Sequence, residues 1–255
     1  MLWPIQQKSL SAQYPTQTEI RLGTDRIQRR KALLDVKARK LCEAKRFIRT
    51  WGQGLDTNST FSQENQFEAL DGGFSVIRFD NAPILGTTVK NVFDAIIHSM
   101  QNAEIMISEM FGSISIREDT DFNASDIFQI RLVSSTPRGA VVESNSVVFA
   151  EYVEGPEDTY GIIASDFVDA DELYPYIPSE RVRRDSVTIV LVRSVKTSDK
   201  QEVVVGTRWT CLNLAHTELD IPKEGIRELQ ETSMAWGDTV KKCIMQYIAN
   251  NQKLG

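Results

Sequence analysis

Two histidines, three cysteines and eight prolines in 255 residues leave little material for metal sites, disulfides or polyproline segments. Cys42, Cys211 and Cys243 are an odd, widely spaced set, which excludes a disulfide-built scaffold and predicts reduced thiols. His98 and His216 are far apart, and the chain has no Cys-x-x-Cys, phosphate-binding glycine loop or nucleophile elbow. Asp119-x-Asp121-x-Asn123-x-Ser125 begins like a calcium loop but has Ala124 and Ile130 where Gly and Glu are needed. No catalytic residue, metal ligand or cofactor motif is therefore expected, and the chain reads as not an enzyme. Fourteen glycines exclude a collagen-like chain. No run approaches the roughly 18 apolar residues of a membrane span; the densest, Val187–Val192, is broken by Thr188. The opening Met1-Leu2-Trp3-Pro4 lacks the basic-then-apolar order of a secretory signal, so the expected location is cytoplasmic or nuclear.

What is present is an ordinary globular composition, 41% hydrophobic and 25% charged, with a formal charge of −6 that hides a split. Residues 21–50 carry eleven Lys/Arg against three Asp/Glu, a net +8; residues 51–255 carry seventeen against thirty-one, a net −14. Nucleic-acid binding by the acidic body is excluded on that balance. The basic segment is open to three uses: phosphates of a nucleic acid, an anionic membrane surface, or the protein's own acidic domain.

Patterning divides the chain into a loose arm (1–24), a basic helix (25–51), a linker (52–69) and one domain (70–255). The helix opens at Thr24-Asp25 and stops at Gly52. Ile27, Leu34, Leu41 and Ile48 recur every seven residues, but the alternate seam positions are Lys31, Ala38 and Lys45 in one frame and Arg30, Lys37 and Ala44 in the other. The zipper pattern is therefore incomplete. Residues 52–68, rich in Gly, Asn, Ser, Thr and Gln, read as linker. Phe74–Phe79 reads as a strand, and Thr88–Ala103 as a helix with the stripe Val89, Val92, Phe93, Ile96, Ile97 and Met100. Strands are expected around 105–117, 127–134, 140–154, 159–168, 186–196 and 202–215, joined by turns that favour an antiparallel meander. A long helix from Pro222 to about Asn250 closes the chain, with Ile226, Leu229, Ser233, Trp236, Val240, Ile244 and Tyr247 on one stripe. The fold class is thus α+β: a curved antiparallel sheet of about seven strands around a long C-terminal helix, preceded by a basic N-terminal helix.

This order resembles the helix-grip fold of START-like lipid-binding domains. The local text is similar to the START-like family of oomycetes in Leu70-Asp71-Gly72-Gly73-Phe74, Pro83-Ile84-Leu85-Gly86, Glu154-Gly155-Pro156-Glu157-Asp158, Ser165-Asp166-Phe167-Val168-Asp169, Asp171-Glu172-Leu173-Tyr174-Pro175-Tyr176, Thr207-Arg208-Trp209 and Trp236-Gly237-Asp238. The resemblance implies a binding domain for a lipid or other hydrophobic ligand, and an N-terminal helix related to a basic, leucine-zipper-like module. Ligand binding is expected between sheet and last helix, through Phe149, Tyr152, Asp166, Arg208, Trp209, Ser233, Trp236 and Gly237. Arg208 and Trp209 are strand neighbours, so only one faces the helix; the expected one is Trp209. An inward Arg208 would need a partner such as Asp166 or Glu151. Trp236 beside Gly237 suits a cavity wall. Loop 169–185 is the expected gate, with Tyr174, Tyr176 and Ile177 at its mouth, and Arg181, Arg183 and Arg184 read as a solvated charge run, with contacts to lipid phosphates as the alternative. The alternative is a regulatory protein whose domain senses a ligand or a protein while the basic helix contacts nucleic acid.

Overall fold

The structure is a computed structural model, and it describes residues 16–68, 73–111, 114–118, 126–156, 158–196 and 201–252. Its elements run β1 (Arg21–Leu22), α1 (Arg26–Trp51), β2 (Phe61–Glu68), β3 (Phe74–Ile84), α2 (Val89–Gln101), α3 (Ala103–Phe111), β4 (Ile114–Glu118), β5 (Ile127–Ser135), β6 (Val141–Val153), β7 (Tyr160–Phe167), β8 (Ala170–Asp171), β9 (Val182–Lys196), β10 (Glu202–Leu214) and α4 (Lys223–Gln252). The expected α+β class holds, with an antiparallel sheet, a long C-terminal helix and an N-terminal helix. The main sheet has the order β2-β3-β10-β9-β7-β6-β5-β4, and only a two-residue contact between β6 and β9 within it is parallel.

Local chemistry accounts for the helix ends. Asp25 caps α1 by accepting from the Gln28 amide, and the Gly52 amide closes it on the Ile48 carbonyl. Thr88 caps α2 in the same way, through the Asn91 amide. The strands are apolar on both faces at the centre of the sheet, and all eight residues of β7 are buried. Such strands need a layer on each side. On one face α1 brings Leu33, Leu41, Ala44 and Ile48 against Phe149, Ile162, Ile189 and Trp209. On the other, α2 brings Val89, Val92, Phe93 and Ile96 against Val148, Ile163, Val190 and Val204. Phe93 seats over Gly161, where an added Cβ would lie 2.4 Å from the ring, so the close approach of α2 to β7 requires glycine there.

Three expectations are corrected. The linker expected over 52–69 is partly strand: β2 forms inside it and pairs along its whole length with β3, which gives the described sheet eight strands. The strand expected over 105–117 is instead α3 followed by β4; Ala103, Met106 and Ile107 recur at helical spacing and pack on Leu132. Residues 16–24 are not loose: β1 pairs in parallel with β8, Ile20 and Leu22 are buried, and the Ile20 amide donates to Asp169. The incomplete zipper pattern of α1 is reflected in its burial: Leu41 and Ile48 are buried on the sheet, while Ile27 and Leu34 are exposed. The turn at 197–200 and the calcium-loop-like segment 119–125 lie outside the described residues.

Candidate functional site

The two faces of the sheet differ in how their polar groups are satisfied. Under α1 most charges are paired, Arg193 being an exception whose buried Nε has no partner among the described residues. Lys40 Nζ lies 2.6 Å from Asp166, with both side chains fully buried, and Asp166 also accepts from the Thr18 amide. Burial lowers the Lys40 ammonium and raises the Asp166 carboxyl, each against the pull of its partner. Arg29 forms a two-pronged bond to Asp171, which also accepts from Gln129 and Asn145. Burial acts to raise the Asp171 carboxyl, but the bonds from Arg29, Asn145 and Gln129 outweigh it and hold it below the usual carboxylate range. Lys37 to Asp126 and Arg49 to Asp158 complete four cross-links between the basic helix and the acidic domain.

Beneath α4 the sheet presents something else. Alternation and register place Arg78, Asp80, Ser144, Ser146, Ser165, Arg184, Ser186, Thr188, Arg208 and Thr210 on this face. They form a polar band between two apolar patches, the α2 contact at one end and the cluster of Phe74, Val76, Val142, Val182, Leu214 and Leu229 at the other. α4 approaches α2 and α3 closely but stands off the sheet, which it reaches through side chains. Leu229 enters the apolar cluster, the Gly237 carbonyl accepts from Arg208, and Asp238 accepts from Arg78. Ser233, one turn from each of the first two contacts, is buried over the band.

Ser144, Ser146, Ser186, Thr188 and Thr210 are only half-buried, although they sit on central strands with a helix above them. Thr188 and Thr210 share a hydrogen bond of 3.2 Å. Among the described residues the hydroxyls of Ser144, Ser146, Ser165, Ser186 and Ser233 make none. Arg184 lies deep enough that burial alone lowers its guanidinium to about 10, yet it too keeps part of its surface open. Half-buried side chains on central strands keep contact with solvent, and the space this leaves between the band and α4 is a groove in which these hydroxyls and Arg184 have no protein partner among the described residues.

The sequence-derived site residues divide between the two faces. Tyr152, Arg208, Ser233 and Gly237 lie on the α4 side, Tyr152 at the α2 end with its ring 5.8 Å from that of Phe93. Phe149, Asp166 and Trp209 lie on the α1 side, and the Trp236 side chain lies outside the described part. The expectation that Trp209 faces the last helix is corrected: its ring packs on Phe47 of α1, at 5.2 Å. Arg208 is the inward residue, and its partner is neither Asp166 nor Glu151 but Asp80, directly across on β3, at 3.0 Å from Nε. Gly237 makes room for that guanidinium rather than for a cavity, since a Cβ there would meet both terminal nitrogens at 2.9 Å.

The expected gate is tied down as well. Asp171 holds its start, Tyr176 donates to the Arg181 carbonyl, and Tyr174 and Tyr176 line a cleft of about 240 Å³ with Glu143, Asp169, Arg183 and Asp185. Arg183 and Asp185 face away from α4, so this cleft is separate from the groove; Ile177 stays partly exposed. Arg184 was legible as part of this site only through strand parity, because it alternates with Arg183 and Asp185. Reading β9 from residue 186 instead of 182 hid that signal.

No family model matches the chain, and no curated protein matches it. Among solved structures it is similar to a conserved protein from Geobacillus kaustophilus, at 13% identity over 68% of this chain and 95% of that one, with a TM-score of 0.35. It is also similar to two di-domain ARO/CYC proteins. One is StfQ of the steffimycin biosynthetic pathway (13% identity, 88% of this chain and 61% of that one, TM-score 0.34). The other is BexL of the BE-7585A biosynthetic pathway (10%, 86% and 58%, TM-score 0.30). The expectation that the chain is not an enzyme finds no support in these comparisons, since two of the structures it is similar to are ARO/CYC proteins of biosynthetic pathways. The finer resemblance, to the oomycete START-like family, has no match among the family models. Among the described residues no helix is long and apolar enough to cross a membrane.

Proposed function

We propose that the protein binds a small hydrophobic or amphipathic molecule, such as a lipid, in the groove between the sheet and α4. The observation that carries this reading is the row of unpartnered, half-buried hydroxyls on central strands beneath a helix. A packed core would have apolar side chains at those positions, and a solvated surface would have no helix over them. The partly exposed side chains that border the two apolar patches, Tyr152, Ile244 and Tyr247 at one end and Leu219, Ile221 and Met234 at the other, offer area for a guest's body, at roughly 25 cal/mol per Å² removed from water. The hydroxyls offer orientation, as polar groups do in ligand sites.

Native mass spectrometry of protein purified from cells, followed by organic extraction, tests the reading. A co-purifying small molecule is expected. The variant T188W, which fills the floor of the groove, is expected to lose it while keeping a cooperative thermal transition. Wild-type protein that carries no added mass and takes up none from a panel of fatty acids, phospholipids and sterols would sink the reading.

A further inference from the structure

Of the three guanidinium groups that β3, β9 and β10 raise toward α4, two are committed. Arg208 bonds Asp80 and the Gly237 carbonyl, and Arg78 bonds Asp80 and Asp238. The third, Arg184, has no hydrogen bond or ion pair among the described residues. Its chain neighbours cannot neutralise it: Arg183 and Asp185 lie on the opposite face and pair with each other at 2.8 Å. Leu214 stands directly across from Arg184 on β10, and Val182 precedes it on the same face. Both belong to the apolar cluster that Leu229 of α4 completes. Ser186, next along that face, adds a free hydroxyl.

An isolated cation held away from bulk water is costly, and proteins keep one there where a counter-charge arrives from outside. We infer that the occupant of the groove is a small amphipathic anion, whose acidic head, a carboxylate or a phosphate, pairs with Arg184 while its apolar body lies on Leu219, Ile221 and Met234, the partly exposed side chains that border the buried cluster of Leu214, Val182 and Leu229. The inference rests on the groove reading and deepens it by naming the class of ligand. The guanidinium fork matches either head through two parallel bonds, and Arg184 has both prongs free. Burial lowers its pKa only to about 10, so it meets an anion fully charged at neutral pH. The partly desolvated setting strengthens that attraction relative to water.

Calorimetric titration of delipidated full-length protein with dodecanoate, dodecyl phosphate and methyl dodecanoate is the test. At least one of the acids is expected to bind tenfold or more tightly than the ester, and the tighter acid identifies the head. R184Q is expected to abolish that preference, and R184K to keep part of it. If the ester binds wild-type protein as tightly as both acids, or R184Q retains the preference, the Arg184 assignment falls and the groove reading stands. If none of the three binds, both fall. The wild-type comparison needs no variant, so a poorly folding R184Q leaves the test intact.

Discussion

On the α1 side of the sheet Arg29, Lys40, Asp166 and Asp171 are buried with a counter-ion each, whereas on the α4 side Arg184 and five serine hydroxyls have no partner among the described residues. The strands are the same, so the difference comes from what covers them. α1 carries cations at Arg29, Lys37, Lys40 and Arg49 that meet Asp171, Asp126, Asp166 and Asp158. α4 meets the sheet mainly through Leu229, Gly237 and Asp238, and leaves the band between those contacts open. The α1 face is held mainly by complementary charge and apolar packing; the α4 face keeps Arg184 and serine hydroxyls without partners among the described residues. A protein that exposes unpaired polar groups inside its fold gives up stability there, and binding sites are where that is found.

Removing a charge should therefore have opposite signs on the two faces. The largest effect is expected from Lys40→Met, which leaves Asp166 buried without its cation. A loss of about 3–5 kcal/mol in urea unfolding is expected, most of it restored in the double variant K40M/D166L. A loss below about 1 kcal/mol would show that the pair does not hold α1 to the sheet.

A smaller effect, of about 1–3 kcal/mol, is expected for Asp171→Asn, and its pH dependence sharpens the contrast. The Asp171 carboxyl is held below the usual carboxylate range in the fold, against roughly 3.9 unfolded. Its contribution is present above about pH 4 and is lost as pH falls through the folded value. Denaturant unfolding at several pH values between 7 and 3 should show a shallower acid slope for D171N than for wild type. Equal slopes would remove Asp171 from the α1 interface energetics.

The smallest effect, and the one of opposite sign, is expected from Arg184→Met. It replaces an unpaired deep cation with an apolar chain of similar length and should raise stability by up to about 1 kcal/mol. A loss of more than that would mean that Arg184 has a structural role within the fold, and the contrast between the faces would fail.

Much of this architecture is local and so could be read along the chain. Asp25 and Gly52 bound α1 because a carboxylate at one end and an amide turning back at the other satisfy free backbone groups. The stripe of α2 and the strands from β5 to β10 show in periodicity and turn chemistry. β2 did not show, because Phe61–Glu68 is polar and mostly exposed, and only pairing with β3 makes it a strand. α3 did not show, because a short apolar run fits helix and strand alike. The site was half legible: Arg208, Ser233 and Gly237 were singled out, while Arg184 was read with Arg181 and Arg183 as one run, solvated by preference and phosphate-binding as the alternative.

The amino-acid order determined the α+β class, the succession of hairpins, the long last helix and the charge split between a +8 segment and a −14 body. It also determined that each strand alternates, so that Arg208 and Trp209 had to part. The tertiary structure alone decided which side each took, because alternation fixes opposition and not direction. It decided likewise that four α1 cations are turned against the domain's own carboxylates, and that Arg184 is left under α4 without a counter-ion. Those outcomes depend on distances across the fold, between residues up to 142 positions apart in the chain, and periodicity along the chain carries no information about them.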